Sequence, residues 1–432
     1  MLVRNIILRH MENFLISLSL SLILGLLLSR IAKKIGLPAV TAYIIAGVIL
    51  GPFVLGKMNF GGIGYHDSNY IENFAILSKT ALGFIAFMIG NEFRLKDLEK
   101  MGRSAITVGI FQAVFTTLLV DLVLIGVSLA FPNLLSLPSA ITLGAIAAAT
   151  APAATLMVVK QYKAHGPLTK LLLMVVALDD AVGLMLFSVS FGIAQALESG
   201  NISTISIVAE PLIEMGMSIA IGVLSGLFLN YLERFFHSRS KRLSLVVAFV
   251  MLVVGISLST FSIGDVHIRS SLLLTCMIAG CTFCNVCNAS EEIMDRLDRW
   301  TGPILVLFFV ISGAELDFSV LKDPLVLALG LCYIATRSTG KIYGAYLSSR
   351  LERMDVKTQK HLGITLLPQA GVALGMANSS LILEQGKIIC NIVLFSVFIY
   401  EIAGPYMTKN ALIKAGEIDT EARKSSRVEN KA

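Results

Sequence analysis

Apolar runs of about twenty residues recur along almost the entire chain, and they limit its fold more than any other feature of the sequence. A helix of about 20 mostly apolar residues crosses the hydrocarbon core of a bilayer, where every backbone polar group must be satisfied internally. The sequence therefore predicts an all-α, polytopic membrane protein with about 13 transmembrane helices. The candidate spans lie near 12–30, 38–55, 71–91, 102–131, 138–160, 167–197, 205–234, 242–263, 268–288, 301–319, 323–349, 359–383 and 387–408.

The composition excludes a soluble protein of several domains. Only 15% of the 432 residues are charged, whereas soluble domains contain about 25%, and the mean hydropathy is +0.79. The net charge of +6 does not indicate a nucleic-acid partner, because the basic residues lie between apolar runs, where they hold the topology of a membrane protein. We find no glycine-rich phosphate loop and no metal-binding histidine pair, so we expect neither an enzyme nor a cofactor.

The distribution of basic residues predicts the orientation of the chain in the membrane. Loops that follow odd-numbered spans contain twenty Lys and Arg residues, whereas loops that follow even-numbered spans contain four. Because cytoplasmic loops are enriched in Lys and Arg, the N-terminus is expected outside the cell membrane and the C-terminus in the cytoplasm. We divide the chain into a transmembrane domain, residues 1–408, and a short polar cytoplasmic tail, residues 409–432.

Thirteen spans divide into six, one and six, and a single linking span gives the two halves opposite orientations, as in inverted-topology repeats. The fifth span of each half contains an internal proline, Pro152 in the first half and Pro368 in the second. Interrupted spans at matching places indicate a binding site near the middle of the membrane. Two broken helices are therefore predicted there, with a simple proline kink in each helix as the alternative.

Two adjacent carboxylates, Asp179 and Asp180, lie near the middle of the sixth span. Charged groups at this depth are costly and usually mark function. Neighbouring residues of a helix point about 100° apart, so the two side chains are expected to have different partners. A buried carboxylate binds either a proton or a metal cation, and competition between the two is the basis of cation–proton exchange. The alternative is a salt bridge that only joins two helices.

Two basic residues in the eleventh span, Arg337 and Lys341, supply the opposite charge. They are four residues apart and therefore lie on one face of a helix. Lysine loses its proton on burial more readily than arginine, so Lys341 is the candidate for proton coupling and Arg337 for a fixed charge. Glu315, in the preceding span, is an accessory candidate and an alternative partner for Arg337. The spacing leaves open which of the two basic residues pairs with Asp179.

Four stretches carry a resemblance to a known family: Leu37–Pro52, Ala149–Ala154, Ala177–Asp180 and Gly340–Lys341. In this order they resemble the cation:proton antiporter superfamily, especially its bacterial sodium/proton branch with a paired-aspartate motif. The resemblance covers residues 12–408. It implies a core bundle with two crossing broken helices, a separate dimerisation bundle, a homodimer, and transport by an elevator movement of the core.

The resemblance also implies roles for individual residues. By analogy with such antiporters, Asp180 binds the Na⁺ ion, Asp179 is the partner of Lys341, and Thr150 lines the ion site. The expected function is exchange of a monovalent cation, Na⁺ or Li⁺, for protons across the cell inner membrane. A K⁺/H⁺ antiporter is the nearest alternative, because potassium-efflux relatives share much of the pattern. A symporter of organic anions and a membrane ion sensor without transport are alternatives from other classes.

Overall fold

The computed structural model describes residues 2–58, 64–65, 71, 74–91, 93–199, 204–259, 261–263, 266–268, 270–316 and 323–418. The tail predicted for residues 409–432 therefore lies largely outside the described residues. The helices are α1 (Leu2–Ile35), α2 (Ala39–Leu50), α3 (Leu55–Met58), α4 (Ala75–Gly90), α5 (Leu95–Ala130), α6 (Leu137–Ile146), α7 (Pro152–Tyr162), α8 (Pro167–Ser199), α9 (Thr204–Glu233), α10 (Arg239–Leu258), α11 (Leu272–Val286), α12 (Ser290–Ala314), α13 (Pro324–Leu351), α14 (Val356–Thr365), α15 (Gly371–Ser379) and α16 (Gly386–Ala415).

Two short elements complete the fold. A 3₁₀ turn, Ser380–Ile382, extends α15, and the strands β1 (Phe261–Ile263) and β2 (Val266–Ile268) form an antiparallel hairpin between α10 and α11. Among the described residues, nine helices are long and apolar enough to cross a membrane. The other predicted spans coincide with the shorter helices α4 and α11 and with two interrupted helices. The multi-pass helical fold is thus confirmed, and the count of thirteen stays a prediction.

The fifth span of each half, which contains Pro152 or Pro368, is interrupted, as predicted from the sequence. Helix α6 ends at Ile146 and α7 begins at Pro152, which occupies the first helical position, where its missing N–H costs no hydrogen bond. In the second half, α14 ends at Thr365 and α15 begins at Gly371, with Pro368 in the extended connection. Each helix therefore stops and restarts, and the alternative of a simple kink does not apply.

Contacts between helices divide the fold into two bundles. The scaffold bundle consists of α1, α2, α4 and α9–α12, and the core bundle consists of α5–α8 and α13–α16. Within the scaffold bundle, α2 and α12 touch at backbone distance. A Cβ atom added to Gly47 would lie 1.9 Å from the carbonyl oxygen of Val310, and one added to Gly313 would lie 2.1 Å from that of Ile44. The bundles meet where α2 packs on α7 and α16, α4 on α7, and α8 on α9 and α11.

Candidate ion-binding site

The two interrupted helices cross each other inside the core bundle. The backbone N–H of Ala151 donates to the carbonyl oxygen of Pro368 at 2.8 Å. The hydroxyl of Thr150 lies 3.4 Å from the carbonyl oxygen of Leu366. Because the helices stop at this point, several backbone carbonyls have no partner within their own helix and must be satisfied by other groups.

Arg337 satisfies carbonyls from both breaks at once. Its side chain is fully buried and donates to Ala147 O at 3.0 Å, Ala149 O at 2.6 Å and Leu367 O at 2.7 Å. Helix C-termini carry partial negative charge, and α6 and α14 both end here, so the fixed positive charge stabilises both ends. The guanidinium also lies 4.6 Å from the ring centroid of Tyr400. Arg337 makes these contacts instead of the alternative pair with Glu315.

Gln369 joins the two breaks through neutral hydrogen bonds. Its side-chain amide donates to Ile146 O at 3.2 Å and contacts the hydroxyl of Tyr333 at 3.1 Å. Its carbonyl oxygen accepts from the hydroxyl of Ser396 at 3.0 Å. The side chain is fully buried, so it links α6, α13 and α16 where the broken helices cross.

Asp179 is a fully buried carboxylate whose two oxygens are both hydrogen-bonded. Lys341 Nζ lies 2.9 Å from Asp179 Oδ2, and the Thr150 hydroxyl donates to the same oxygen at 2.6 Å. The side-chain amide of Gln112 donates to Asp179 Oδ1. Lysine and not arginine is therefore the partner of this aspartate, which is the pairing that the resemblance implied.

Lys341 is equally well satisfied. Besides Asp179, its ammonium donates to Ala148 O at 2.5 Å and to the Thr150 hydroxyl at 2.9 Å. An ammonium has three N–H donors, and all three are used. Asp179, Lys341 and Thr150 thus form a closed ion-pair cluster that connects α8, α13 and the first helix break.

Asp180 differs from its neighbour. It is 6% exposed, and its Oδ1 atom is buried without a hydrogen-bond partner in the described part of the chain. A buried carboxylate oxygen without a donor is unfavourable as it stands, and it is satisfied by binding a proton or a cation.

Glu315 lies apart from this cluster. It is the C-cap residue of α12, in the scaffold bundle, and its side chain is exposed. The structure therefore brings together Asp179, Asp180, Thr150, Arg337 and Lys341, and it does not bring Glu315 to them. No contact in the described part of the chain supports its accessory role in the ion site.

Three buried polar residues were missed from the sequence: Gln112, Gln369 and Glu401. Gln112 and Gln369 are neutral, and a neutral polar residue in an apolar run gives a weak signal. Glu401 lies well inside the last span, so the rule that identified the aspartate pair, that a charge at membrane depth marks function, could also have found it.

Comparison with known proteins gives a consistent result. The family described as "Sodium/hydrogen exchanger, transmembrane" matches residues 19–409. The Na(+)/H(+) antiporter NhaS4 of Synechocystis is 24% identical over 370 residues, which are 83% of this chain and 86% of that protein. The K(+)/H(+) antiporter subunit KhtU of Bacillus subtilis is 22% identical over 408 residues, with 93% and 94% covered.

A solved structure has the same fold. The sodium proton antiporter MjNhaP1 from Methanocaldococcus jannaschii superposes with a TM-score of 0.66 at 20% identity, over 95% of this chain and 96% of that one. At this identity the likeness concerns the fold alone, whereas the family match extends over most of the sequence. The chain therefore belongs to the transmembrane sodium/hydrogen exchanger family.

Proposed function

We propose that this chain is a secondary transporter, without enzymatic activity, that exchanges a monovalent cation, Na⁺ or Li⁺, for protons at Asp180. The observation that carries the proposal is the contrast between two adjacent buried carboxylates. Asp179 is satisfied by an ion pair and two further hydrogen bonds, whereas Asp180 has a buried oxygen without a hydrogen-bond partner among the described residues. One carboxylate in an otherwise satisfied cluster is thus free to alternate between a proton and a cation.

The neighbouring Asp179–Lys341 ion pair couples binding of the cation to release of a proton. A cation at Asp180 places positive charge beside the Asp179–Lys341 pair, and it competes with the ammonium for Asp179 and for the Thr150 hydroxyl. Lys341 then gives up its contact and its proton, and both return when the cation leaves. The protons belong to the cluster as a whole, because groups in direct contact titrate together. Asp180 and the Lys341–Asp179 pair each contribute one proton in this scheme.

Exchange of two protons for one cation moves one net charge. The membrane potential then contributes about 2.3 kcal/mol per 100 mV to each cycle. Arg337 supplies a fixed positive charge in this scheme. Its role is to hold the two helix ends together in every state of the cycle.

The crossing of the two interrupted helices lies in the core bundle. Movement of this bundle against the scaffold bundle would expose Asp180 alternately to the two sides of the membrane. The contacts between the two bundles are fewer than the contacts within each bundle, and this supports an elevator movement. We place the N-terminus outside the cell membrane, the C-terminus in the cytoplasm, and a second copy of the chain against the scaffold bundle.

Everted vesicles from bacteria that lack their own antiporters provide the test. The pH gradient is followed as Na⁺, Li⁺ or K⁺ is added, for the native chain, for Asp180→Asn and for the matched control Asp323→Asn. Asp323 caps α13 by accepting from Leu325 N at 2.9 Å, and asparagine preserves such a cap. The native chain and the control should dissipate the gradient with Na⁺ or Li⁺, and Asp180→Asn should not.

The other outcomes separate the alternatives. K⁺ is the second candidate cation, because a relative of similar coverage carries K(+)/H(+) in its name, and a response to K⁺ alone would assign the chain to it. Folded protein that responds to none of the three ions, from mildly acidic to alkaline pH, would contradict exchange at Asp180 and favour a membrane ion sensor.

A further inference from the structure

Glu401 is a buried acid that the exchange scheme does not use. It lies in α16 and is 4% exposed. The hydroxyl of Ser312 donates to its Oε1 atom at 2.9 Å. Its Oε2 atom is buried and has no hydrogen-bond partner among the residues that the structure describes. A carboxyl group with one satisfied oxygen in the interior of a membrane protein requires an explanation.

The contact between Glu401 and Ser312 crosses from one bundle to the other. Glu401 belongs to the core bundle through α16, and Ser312 belongs to the scaffold bundle through α12. At the same junction the hydroxyl of Thr41, in α2, lies 3.4 Å from the carbonyl oxygen of Ile402. The preceding residue, Tyr400, points the other way and contacts Ser338 of α13 at 2.7 Å. Glu401 therefore faces the surface along which the two bundles would move.

The scaffold side of this junction is rigid. Ser312 precedes Gly313, where α12 and α2 touch at backbone distance. Because no side chain separates these helices, Ser312 cannot follow a displaced α16 without moving two helices together. A shift of the core bundle must therefore break the hydrogen bond to Glu401.

No cation compensates a negative charge at Glu401 in the described part of the chain. The titratable group that interacts electrostatically with it is another acid, Glu315, the C-cap residue of α12, which lies three residues after Ser312. The other helices packed against α16 are α2, α6–α8 and α13–α15, and the nearby cation of α13, Arg337, lies on the opposite face over Tyr400. A buried carboxylate without a counter-charge is costly, whereas its protonated form is not.

We propose that Glu401 is a second proton-binding site, separate from the Asp179–Asp180–Lys341 cluster, whose proton holds the core bundle against the scaffold bundle. In the protonated state the carboxyl accepts from Ser312 and sits uncharged in the interface. After loss of the proton, an unpaired charge faces Glu315 and the interface, so separation of the bundles is favoured. The effect on transport rests on the elevator movement of the proposed function, but proton binding at Glu401 does not.

Infrared difference spectra between acidic and alkaline buffer measure the proton directly. Besides the contribution of a proton on Asp180, the purified protein should show a second carboxylic-acid C=O band that disappears at alkaline pH, and Glu401→Gln should remove that second band. Glu384→Gln is the matched control, since Glu384 is an exposed glutamate just before α16. The second band should remain in Asp180→Asn, which is expected to be inactive in transport. This separates a failure of the proton site from a failure of exchange.

Initial exchange rates, measured with equal pH on both sides and saturating cation, test the coupling to movement. Glutamine imitates the protonated acid, so Glu401→Gln should exchange slowly, with little gain at alkaline pH. Ser312→Ala removes the hydrogen bond without adding charge. It should exchange about fivefold faster than the native chain at acidic pH, the rate equivalent of one neutral hydrogen bond.

Two results would overturn the proposal. One is a second infrared band that is unchanged in folded Glu401→Gln. The other is a pair of pH profiles, for Glu401→Gln and Ser312→Ala, that both coincide with that of the native chain. Glu401→Asp covers the case in which glutamine prevents folding, because the shorter acid should keep the band and weaken the contact with Ser312.

Discussion

The two halves of the chain share one order of elements but differ in the charges that they carry. Each half contains a long helix, an interrupted helix and another long helix: α5, α6–α7 and α8 in the first, and α13, α14–α15 and α16 in the second. The first half contributes the carboxylates Asp179 and Asp180, and the second contributes the cations Arg337 and Lys341. Neither half balances the charge that it contributes to the candidate ion site, so this site requires both halves to be packed together.

The halves also differ in the surroundings of the acidic side chains on their last long helix. On α8 the acids lie beside the helix crossing, where Lys341 neutralises Asp179. On α16 the acid is Glu401, which faces the scaffold bundle and a serine. The same position in the order of elements thus carries the candidate ion-binding acids in one half and an acid at the bundle interface in the other. Substitutions at these positions test whether the two halves have separate roles.

The largest effect is expected from Arg337→Ala, because this residue of the second half satisfies two carbonyls of the first. A hydrogen bond to a charged group contributes about 1.5–3 kcal/mol, and the substitution removes three. We expect little folded protein after extraction in detergent, measured by size-exclusion chromatography. Arg350→Ala, at an exposed position of the same helix, should behave like the native chain. Native yield and activity for Arg337→Ala would contradict the dependence of one half on the other.

The next largest effect concerns Lys341 and the charge that is moved in each cycle. Lys341→Gln leaves Asp179 buried without a counter-charge, which costs about 3–5 kcal/mol when one partner of a buried pair is removed. The double variant Asp179→Asn/Lys341→Gln is neutral and should fold. It should still exchange cations at Asp180, but an imposed membrane potential should no longer change the rate in proteoliposomes.

Lys360→Gln, at an exposed position in α14, is the control for the loss of one positive charge and should remain sensitive to the potential. Undiminished voltage dependence in Lys341→Ala or in the double variant would show that the lysine does not carry the second proton.

The apolar runs and the two internal prolines were sufficient to predict most of the architecture. Spans long enough to cross a bilayer were visible as apolar runs, and Pro152 and Pro368 located both helix breaks. The ion pair of Asp179 with Lys341 followed from the resemblance, since spacing alone left Arg337 as an equal candidate. Charge at membrane depth is a strong signal because it is costly, and this explains why the centre of the site was predictable.

The partners of these residues were not predictable in the same way. Arg337 was assigned a carboxylate as its alternative partner, but it binds backbone carbonyls, which every residue possesses and no sequence pattern marks. Gln112 contacts Asp179 from α5, and this pairing depends on the packing of distant helices. For Glu401 the charge was visible, and only its direction toward Ser312 needed the structure.

A smaller effect is expected at Thr150, the residue of the first half that contacts both members of the ion pair. Thr150→Val removes a donor to Asp179 Oδ2 and an acceptor for Lys341 Nζ, while it nearly preserves the shape of the side chain. The half-saturating cation concentration should rise about tenfold, which corresponds to about 1.4 kcal/mol. Thr150→Ser keeps the hydroxyl and should stay close to the native value. If valine and serine behaved alike, the hydroxyl would have no part in binding.

The smallest effect is expected at the N-caps of α6 and α14, the first segments of the two interrupted helices. Asp355 caps α14, where its carboxylate accepts from Thr358 N at 2.9 Å and Thr358 Oγ1 at 2.5 Å. Ser136 caps α6 with one bond, from Ser139 N at 3.3 Å. Loss of a cap costs about 1 kcal/mol, so Asp355→Ala should lower the melting temperature slightly more than Ser136→Ala, while Asp355→Asn should preserve it.

The pH dependence of the Asp355 cap follows from its protonation. Partial burial raises the pKa of Asp355, but hydrogen bonds from Thr358 and from backbone N–H groups outweigh it, so the pKa lies below its ordinary value. A carboxylate with a lowered pKa stabilises the fold fully above its unfolded value of about 3.9, and this contribution is lost as the pH falls through the folded value. The difference in melting temperature between the native chain and Asp355→Ala should therefore be constant near neutral pH and shrink in strongly acidic buffer. Ser136→Ala should show no such change, because a serine cap carries no titrating charge.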